Sequence, residues 1–106
     1  MPDIINLTPH DIFLFGRVVI PKSENPARVK TEKEVVSSFI FENEKITVFK
    51  TKFGEVENLP EPEPDIIYIV SRIVKSAIPN RNDCLVPDDL IRDNDGNIIG
   101  CNSFSL

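Results

Sequence analysis

The chain has 106 residues, 41% hydrophobic and 27% charged, which fits a single globular domain over residues 1–106 and argues against disorder. Its net charge of −5 lacks the basic footprint of generic nucleic-acid binding, and no apolar run is long enough to cross a bilayer. Two cysteines are too few for a disulfide scaffold, and the Met-Pro-Asp-Ile-Ile start has no signal-like core, so the expectation is a protein of the cytoplasm with free thiols.

Ile4, Ile5 and Leu7 predict a first strand, ended by Thr8-Pro9. Thr8 is suited to cap a short turn through Pro9, His10 and Asp11. Ile12–Phe15 and Val18–Ile20 flank Gly16-Arg17 and read as a hairpin or a bulged strand. Pro21–Pro26 is a loop by composition. Ala27–Val36 is polar and mixed, an exposed strand. Phe39–Phe41 is an apolar strand, Glu42–Lys45 a turn, and Ile46–Phe53 a further strand that Gly54 is expected to break. Leu59–Pro64 alternates with proline, which cannot donate to a ladder, so it reads as an extended connector with exposed acids.

The stretch Asp65–Pro79 organises the rest. Ile66–Val70 is an unbroken apolar run, where a strand with one wet face would alternate, so it predicts a central strand. Ser71 is a good N-cap, Ile73, Val74, Ala77 and Ile78 share one side of a short helix, and Pro79 stops it. Asn80–Asp83 is a polar loop and Leu85–Pro87 is extended. Leu90-Ile91 and Ile98-Ile99 flank Arg92–Asn97, whose Asp95-Gly96 is a strong hairpin signal. The expected class is α+β: a compact, mostly antiparallel β domain with one short helix packed on the sheet.

Candidate chemistry centres on the strand–helix junction. Ser71 and Arg72 stand where a helix start favours an anion, although no glycine-rich loop precedes them and Ser71 reads first as a cap. Arg28, Arg81 and Arg92 sit in or beside turn-rich segments. Guanidinium groups recognise phosphate or carboxylate by paired hydrogen bonds, but Asp83 and Asp93 stand close to Arg81 and Arg92, which suits local salt bridges equally. His10 is the sole histidine, a residue type that titrates near neutrality, and Tyr68 or His10 is suited to stack on a ring. His10, Cys84 and Cys101 lack the paired spacing of zinc ligands, and Asp93-Asp95-Gly96 lacks the rest of a calcium loop, so no metal or other cofactor is implied.

Three segments carry a resemblance: Asn6–Ile12 (N-L-T-P-H-D-I), Tyr68–Ser71 (Y-I-V-S), and the tail from Arg81-Asn82-Asp83-Cys84 to Pro87, then Arg92-Asp93, Gly96 and Ile98–Cys101. Together they resemble a largely uncharacterised family of small proteins found in bacteriophages and in bacterial genomes that carry phage-like genes. The resemblance implies a phage-linked origin, hence the host cytoplasm, and draws attention to Thr8, His10, Asp11, Ser71, Arg81, Asp83 and Arg92. It supplies no catalytic residue.

The first expectation is a non-enzymatic binder that sequesters an anionic, nucleotide-type host signal molecule through Thr8, His10, Arg28, Tyr68, Ser71, Arg72, Arg81, Asp83 and Arg92. The second is a protein-interaction or structural module working through the acidic Pro-Glu strip, with its Glu61 and Glu63, or through a strand edge. A hydrolase pairing His10 with a cysteine ranks third. A chain of this size is also suited to build a pocket by self-association.

Overall fold

The computed structural model describes residues 2–106. Among them run β1 (Asp3–Asn6), β2 (Ile12–Leu14), β3 (Val18–Ile20), β4 (Arg28–Phe41), β5 (Glu44–Glu57), β6 (Ile66–Ile69), α1 (Arg72–Ala77), β7 (Cys84–Arg92) and β8 (Ile98–Ser105). The chain is mostly β with one short helix. Six strands form one sheet in the order β1-β6-β7-β8-β2-β3, and β4 and β5 form a sheet of their own.

β6 is the central strand that its apolar run predicts. It lies between β1 and β7, parallel to both. Its residues alternate between two cores. Tyr68 and Val70 join Leu7, Ala27, Val74, Cys84 and Val86 on one face, under α1. Ile69 joins Ile12, Ile20 and Cys101 on the other, with Ile67, Leu85, Leu90 and Phe104 packed around them. Burial on both faces is why the run does not alternate in polarity. Antiparallel pairing supplies most of the ladder through β4–β5, β7–β8 and β2–β3, while β1–β6, β6–β7 and β2–β8 are parallel.

The six-stranded sheet curls back on itself. Asn6 bridges Lys22 just beyond β3, and the Ser23 amide donates to the Asn6 carbonyl at 3.0 Å, so the two edge strands meet. The cluster around Ile69 fills the inside of the curl, as side chains fill any small barrel.

Ser71 caps α1 as expected: its hydroxyl accepts from the Val74 amide at 3.4 Å, and the helix ends at Ile78, immediately before Pro79. Only Val74 of the helix is buried, and Ile73 and Ala77 remain exposed.

The stretch from Ala27 to Glu57 differs most from its sequence reading. The three strands expected over Ala27–Val36, Phe39–Phe41 and Ile46–Phe53, with a turn at Glu42–Lys45, are replaced by one long hairpin with 14 residues in each strand. The turn narrows to Glu42 and Asn43, with φ of +51° and +64°. Positive φ at both positions is the geometry that matches the twist of two paired strands. Gly54 does not end β5. It sits inside the strand at a register shift opposite Lys30, and a second shift lies at Val36. The hairpin touches the rest of the chain at its base, through Val29 and Val56 against the core, and along α1. Beyond that it projects as an arm. The expected compactness gives way accordingly: the radius of gyration is 17.6 Å and the long axis 59 Å, against about 13 Å for a compact chain of this length. No helix among the described residues is long and apolar enough to cross a membrane.

Candidate functional site

The turn after β1 is built on a buried amide. Asn6 Nδ2 donates to the carbonyls of His10 at 2.8 Å and Ile20 at 3.0 Å. Its Oδ1 accepts from the Thr8 amide at 2.9 Å. The Thr8 hydroxyl lies 2.6 Å from that oxygen and 2.9 Å from the His10 carbonyl, and its one proton serves either. Asp11 accepts from the Lys22 amide at 2.9 Å. The N-L-T-P-H-D segment thus folds on itself and ties β1 to β3. Thr8 is buried and committed to that task, while His10 stays exposed. Asn6 was not singled out from the sequence as a site residue. Its one available signal was an amide immediately preceding a buried leucine and a proline turn.

This turn and Ser71 form one rim of a hollow of about 420 Å³, at the point where β1 and β6 end and β7 continues. Pro9, His10, Phe13, Pro87, Leu90 and Cys101 also line it, so its wall is mainly apolar and its rim polar. β2 and β8 approach closely at its far side, where a Cβ on Gly100 would collide with the Phe13 carbonyl oxygen. Of the sequence-predicted residues, Thr8, His10 and Ser71 are brought together here. Arg72 faces a separate hollow of about 600 Å³ with Lys75, Asn82 and Leu106. Consecutive residues 71 and 72 therefore line two different hollows that share no lining residue, with Val86 of the α1 core in one and Pro87, Leu90 and Cys101 in the other.

The other arginines stand apart, each with a local partner. Arg28 Nε donates to Glu57 at 3.1 Å across the base of the arm, and Lys30 reaches the same carboxylate at 3.3 Å. Hydrogen bonds from Lys30 and then Arg28 hold the Glu57 carboxyl below its usual range. Arg81 donates twice to Asp83 and once to the Pro60 carbonyl, at 3.1 Å. Arg92 donates to the Gly96 carbonyl at 2.9 Å and closes the β7–β8 turn. That turn is fixed from inside by Asp93, which accepts from the amides of Asp95 and Asn97 at 2.9 Å each. Within one chain the arginines do not meet at the hollow. The reason is geometric: each is held by a nearer partner, Arg28 by Glu57 on the paired strand and Arg81 and Arg92 by groups of their own loops. Tyr68 is 1% exposed, with its ring in the core and its hydroxyl donating to the Glu61 carbonyl at 3.4 Å. It offers no free face to a ligand ring. Pro60 and Glu61 are thereby pinned by their carbonyls, while the acids of the Pro-Glu strip point outward.

Cys101 and His10 both line the hollow, but Cys101 is buried, and burial pushes its thiol above the ordinary cysteine value. Burial, then the charge of Asp83, raises Cys84 likewise. A raised pKa leaves little thiolate at neutral pH, and the thiolate is the nucleophile. Among the described residues no three His, Cys, Asp or Glu side chains come together as a metal site would require. No protein-family model matches the chain, and neither the curated proteins nor the solved structures contain a significant match to it.

Proposed function

We propose that this chain is a non-enzymatic, phage-linked binding protein that holds a small nucleotide-type ligand and sequesters it as a host signal molecule. The observation that carries the reading is the mainly apolar hollow of about 420 Å³ that gathers Thr8, His10 and Ser71. The apolar hollow with His10 at its rim has the size and lining of small-molecule sites and suits a ring. A separate hollow beside α1, with Arg72 and Lys75, suits an anionic group. The raised pKa values of both thiols count against the thiol–imidazole hydrolase. Helix α1 adds little to anion binding, because it has only six residues and its cap hydroxyl already serves Val74. The phage link and the host role rest on the resemblance of the N-L-T-P-H-D, Y-I-V-S and tail segments.

Isothermal titration of the full chain with adenine and guanine mono- and dinucleotides tests this. The expected result is saturable binding that weakens at least tenfold in His10→Ala and in Arg72→Ala, with Arg28→Ala unchanged. Heat from no member of the panel, or affinity indifferent to both substitutions, overturns it.

A second reading, a protein-interaction or structural module, is favoured by one observation. β4 and β5 pair only with each other, so each leaves an unpaired edge along its 14 residues. Under this reading the working surface is a strand edge, and charge reversal at Glu61 and Glu63 leaves partner capture intact. Loss of capture in that variant would return the role to the Pro-Glu strip.

A further inference from the structure

We propose that the β4–β5 arm is a dimerisation element that packs against the arm of a second copy of this chain. The inference is independent of the ligand reading.

An isolated two-stranded hairpin is marginal in water, because it has no third strand or helix to cover a face. This one is long and apolar on both faces. Val35, Phe39, Ile40, Phe41, Phe49 and Phe53 are each between 51% and 68% exposed. Strand alternation and the register place Val35 with Phe49 on one face below the Val36 shift. Phe39, Phe41 and Ile46 lie on the opposite face above it. Split between the two faces, these side chains leave on the order of 300 Å² of apolar surface on each, and the aliphatic stems of the arm's lysines extend it towards the roughly 800 Å² that each partner contributes to a standard interface.

Charge selects the occupant. Residues 28–57 carry six Lys and Arg and six Glu, so the arm is neutral, and the whole net charge of −5 belongs to the remaining residues. The two signs interleave along the arm, with Glu34 paired to Lys52 at 3.0 Å and Lys33 over the Phe49 ring. A strongly acidic or basic partner finds no opposite field there. A second arm finds both signs and the same apolar stripes, as a two-fold interface requires. Projection of the arm also holds the two acidic bodies apart, which lowers their mutual repulsion.

The test is the mass of the full chain by light scattering from about 5 to 200 μM, with equal parts of isotopically light and heavy protein then cross-linked through amines. The expected species has twice the chain mass of 12.0 kDa. Light–heavy cross-links should join arm lysines Lys33, Lys45 and Lys50. Val35→Thr with Phe49→Ser, and separately Phe39→Ser with Phe41→Ser, should weaken association at least tenfold. Phe13→Ser, in a separate exposed patch on β2, should not. Tyr68 is the single tyrosine and lies in the body core, so its near-ultraviolet signal reports that the body stays folded in each variant. A monomer at every concentration overturns the proposal. So does association that survives both arm pairs, or light–heavy links confined to Lys22 and Lys75 of the body.

Discussion

Arg81 and Asp83 are joined by two parallel hydrogen bonds, Nε to Oδ1 at 2.8 Å and Nη2 to Oδ2 at 2.9 Å. Both side chains are only about one-fifth exposed, at 22% and 21%. Arg81 also donates to the Pro60 carbonyl, and its own carbonyl accepts from Lys75 Nζ at 2.6 Å. The pair therefore fastens the Pro-Glu connector and the end of α1 to the start of β7.

Arg81→Ala should accordingly act on stability first. It leaves the Asp83 carboxylate and the Pro60 carbonyl without their partner, a loss of about 2–3 kcal/mol for a charged group in a partly buried setting. Urea unfolding should show a lower midpoint with an unchanged slope. Arg81→Lys should recover little of it, because an ammonium cannot make the two-pronged contact. A midpoint equal to the wild type would remove Arg81 from this role and return it to the list of ligand contacts.

The same pair sets a pH dependence. The Arg81 hydrogen bonds hold the Asp83 carboxyl below the ordinary aspartate range, although partial burial opposes them. A depressed folded pKa contributes stability that is fully present above the unfolded value of about 4 and lost as pH falls through the folded value. Stability should therefore drop below about pH 4, and Asp83→Asn should flatten that part of the profile. Asp93, lowered first by the Asn97 amide, and Glu57 are also held below their ordinary values, so the difference between wild type and variant isolates Asp83. Parallel profiles for the two proteins would show that Asp83 is not linked to folding.

Asn6 is the buried polar group with most to lose. Its side chain makes contacts with His10, Ile20 and Thr8 while only 1% exposed. Asn6→Ala should cost about 3 kcal/mol, since each buried group left unpaired costs about 1–3 kcal/mol. Asn6→Asp should not rescue it, because a carboxylate cannot donate to the Ile20 carbonyl. Hydrogen exchange should show the β1 and β3 amides opening before those of β7. Uniform exchange across the sheet would contradict the view that Asn6 closes the curl.

Much of the body was legible in the sequence because its signals are local. The apolar run Ile66–Val70, the Ser71 cap, the Pro79 stop and the Asp95-Gly96 turn each rest on a few adjacent residues. The arm was not, because its strands satisfy one another and no core. The alternation that reveals a half-buried strand is absent when both faces carry Phe, Ile, Lys and Glu together, and Gly54 looked like an end while lying in a bulged strand. For the site, His10, Thr8 and Ser71 were expected and meet, but Thr8 and Ser71 turn out to be bound internally. The arginines looked alike as charges; only their three-dimensional partners distinguish Arg72, beside a cavity, from Arg28, Arg81 and Arg92, each closing a loop. The parallel contact of β2 with β8 is a long-range event with no local signature.

That contact yields the last prediction, because it links packing to the proposed site. β2 and β8 pair at Leu14 and Cys101, and Gly100 lies under the Phe13 backbone with no room for a side chain. The obstruction is main-chain oxygen, which cannot rotate aside as a flexible side chain would. Gly100→Ala should therefore push β2 from β8, cost about 2 kcal/mol or more by overpacking, and widen the hollow that Phe13, Gly100 and Cys101 share. The buried Cys101 thiol supplies the readout. In the wild type, alkylation at pH 8 should be slow, as burial and the raised pKa both protect it. In Gly100→Ala, Cys101 should be modified at least tenfold faster, while Cys84, which lies in the other core under α1, keeps its rate. Equal acceleration at both thiols would indicate global unfolding and not a local opening, and no acceleration at either would show that β2 accommodates the methyl group.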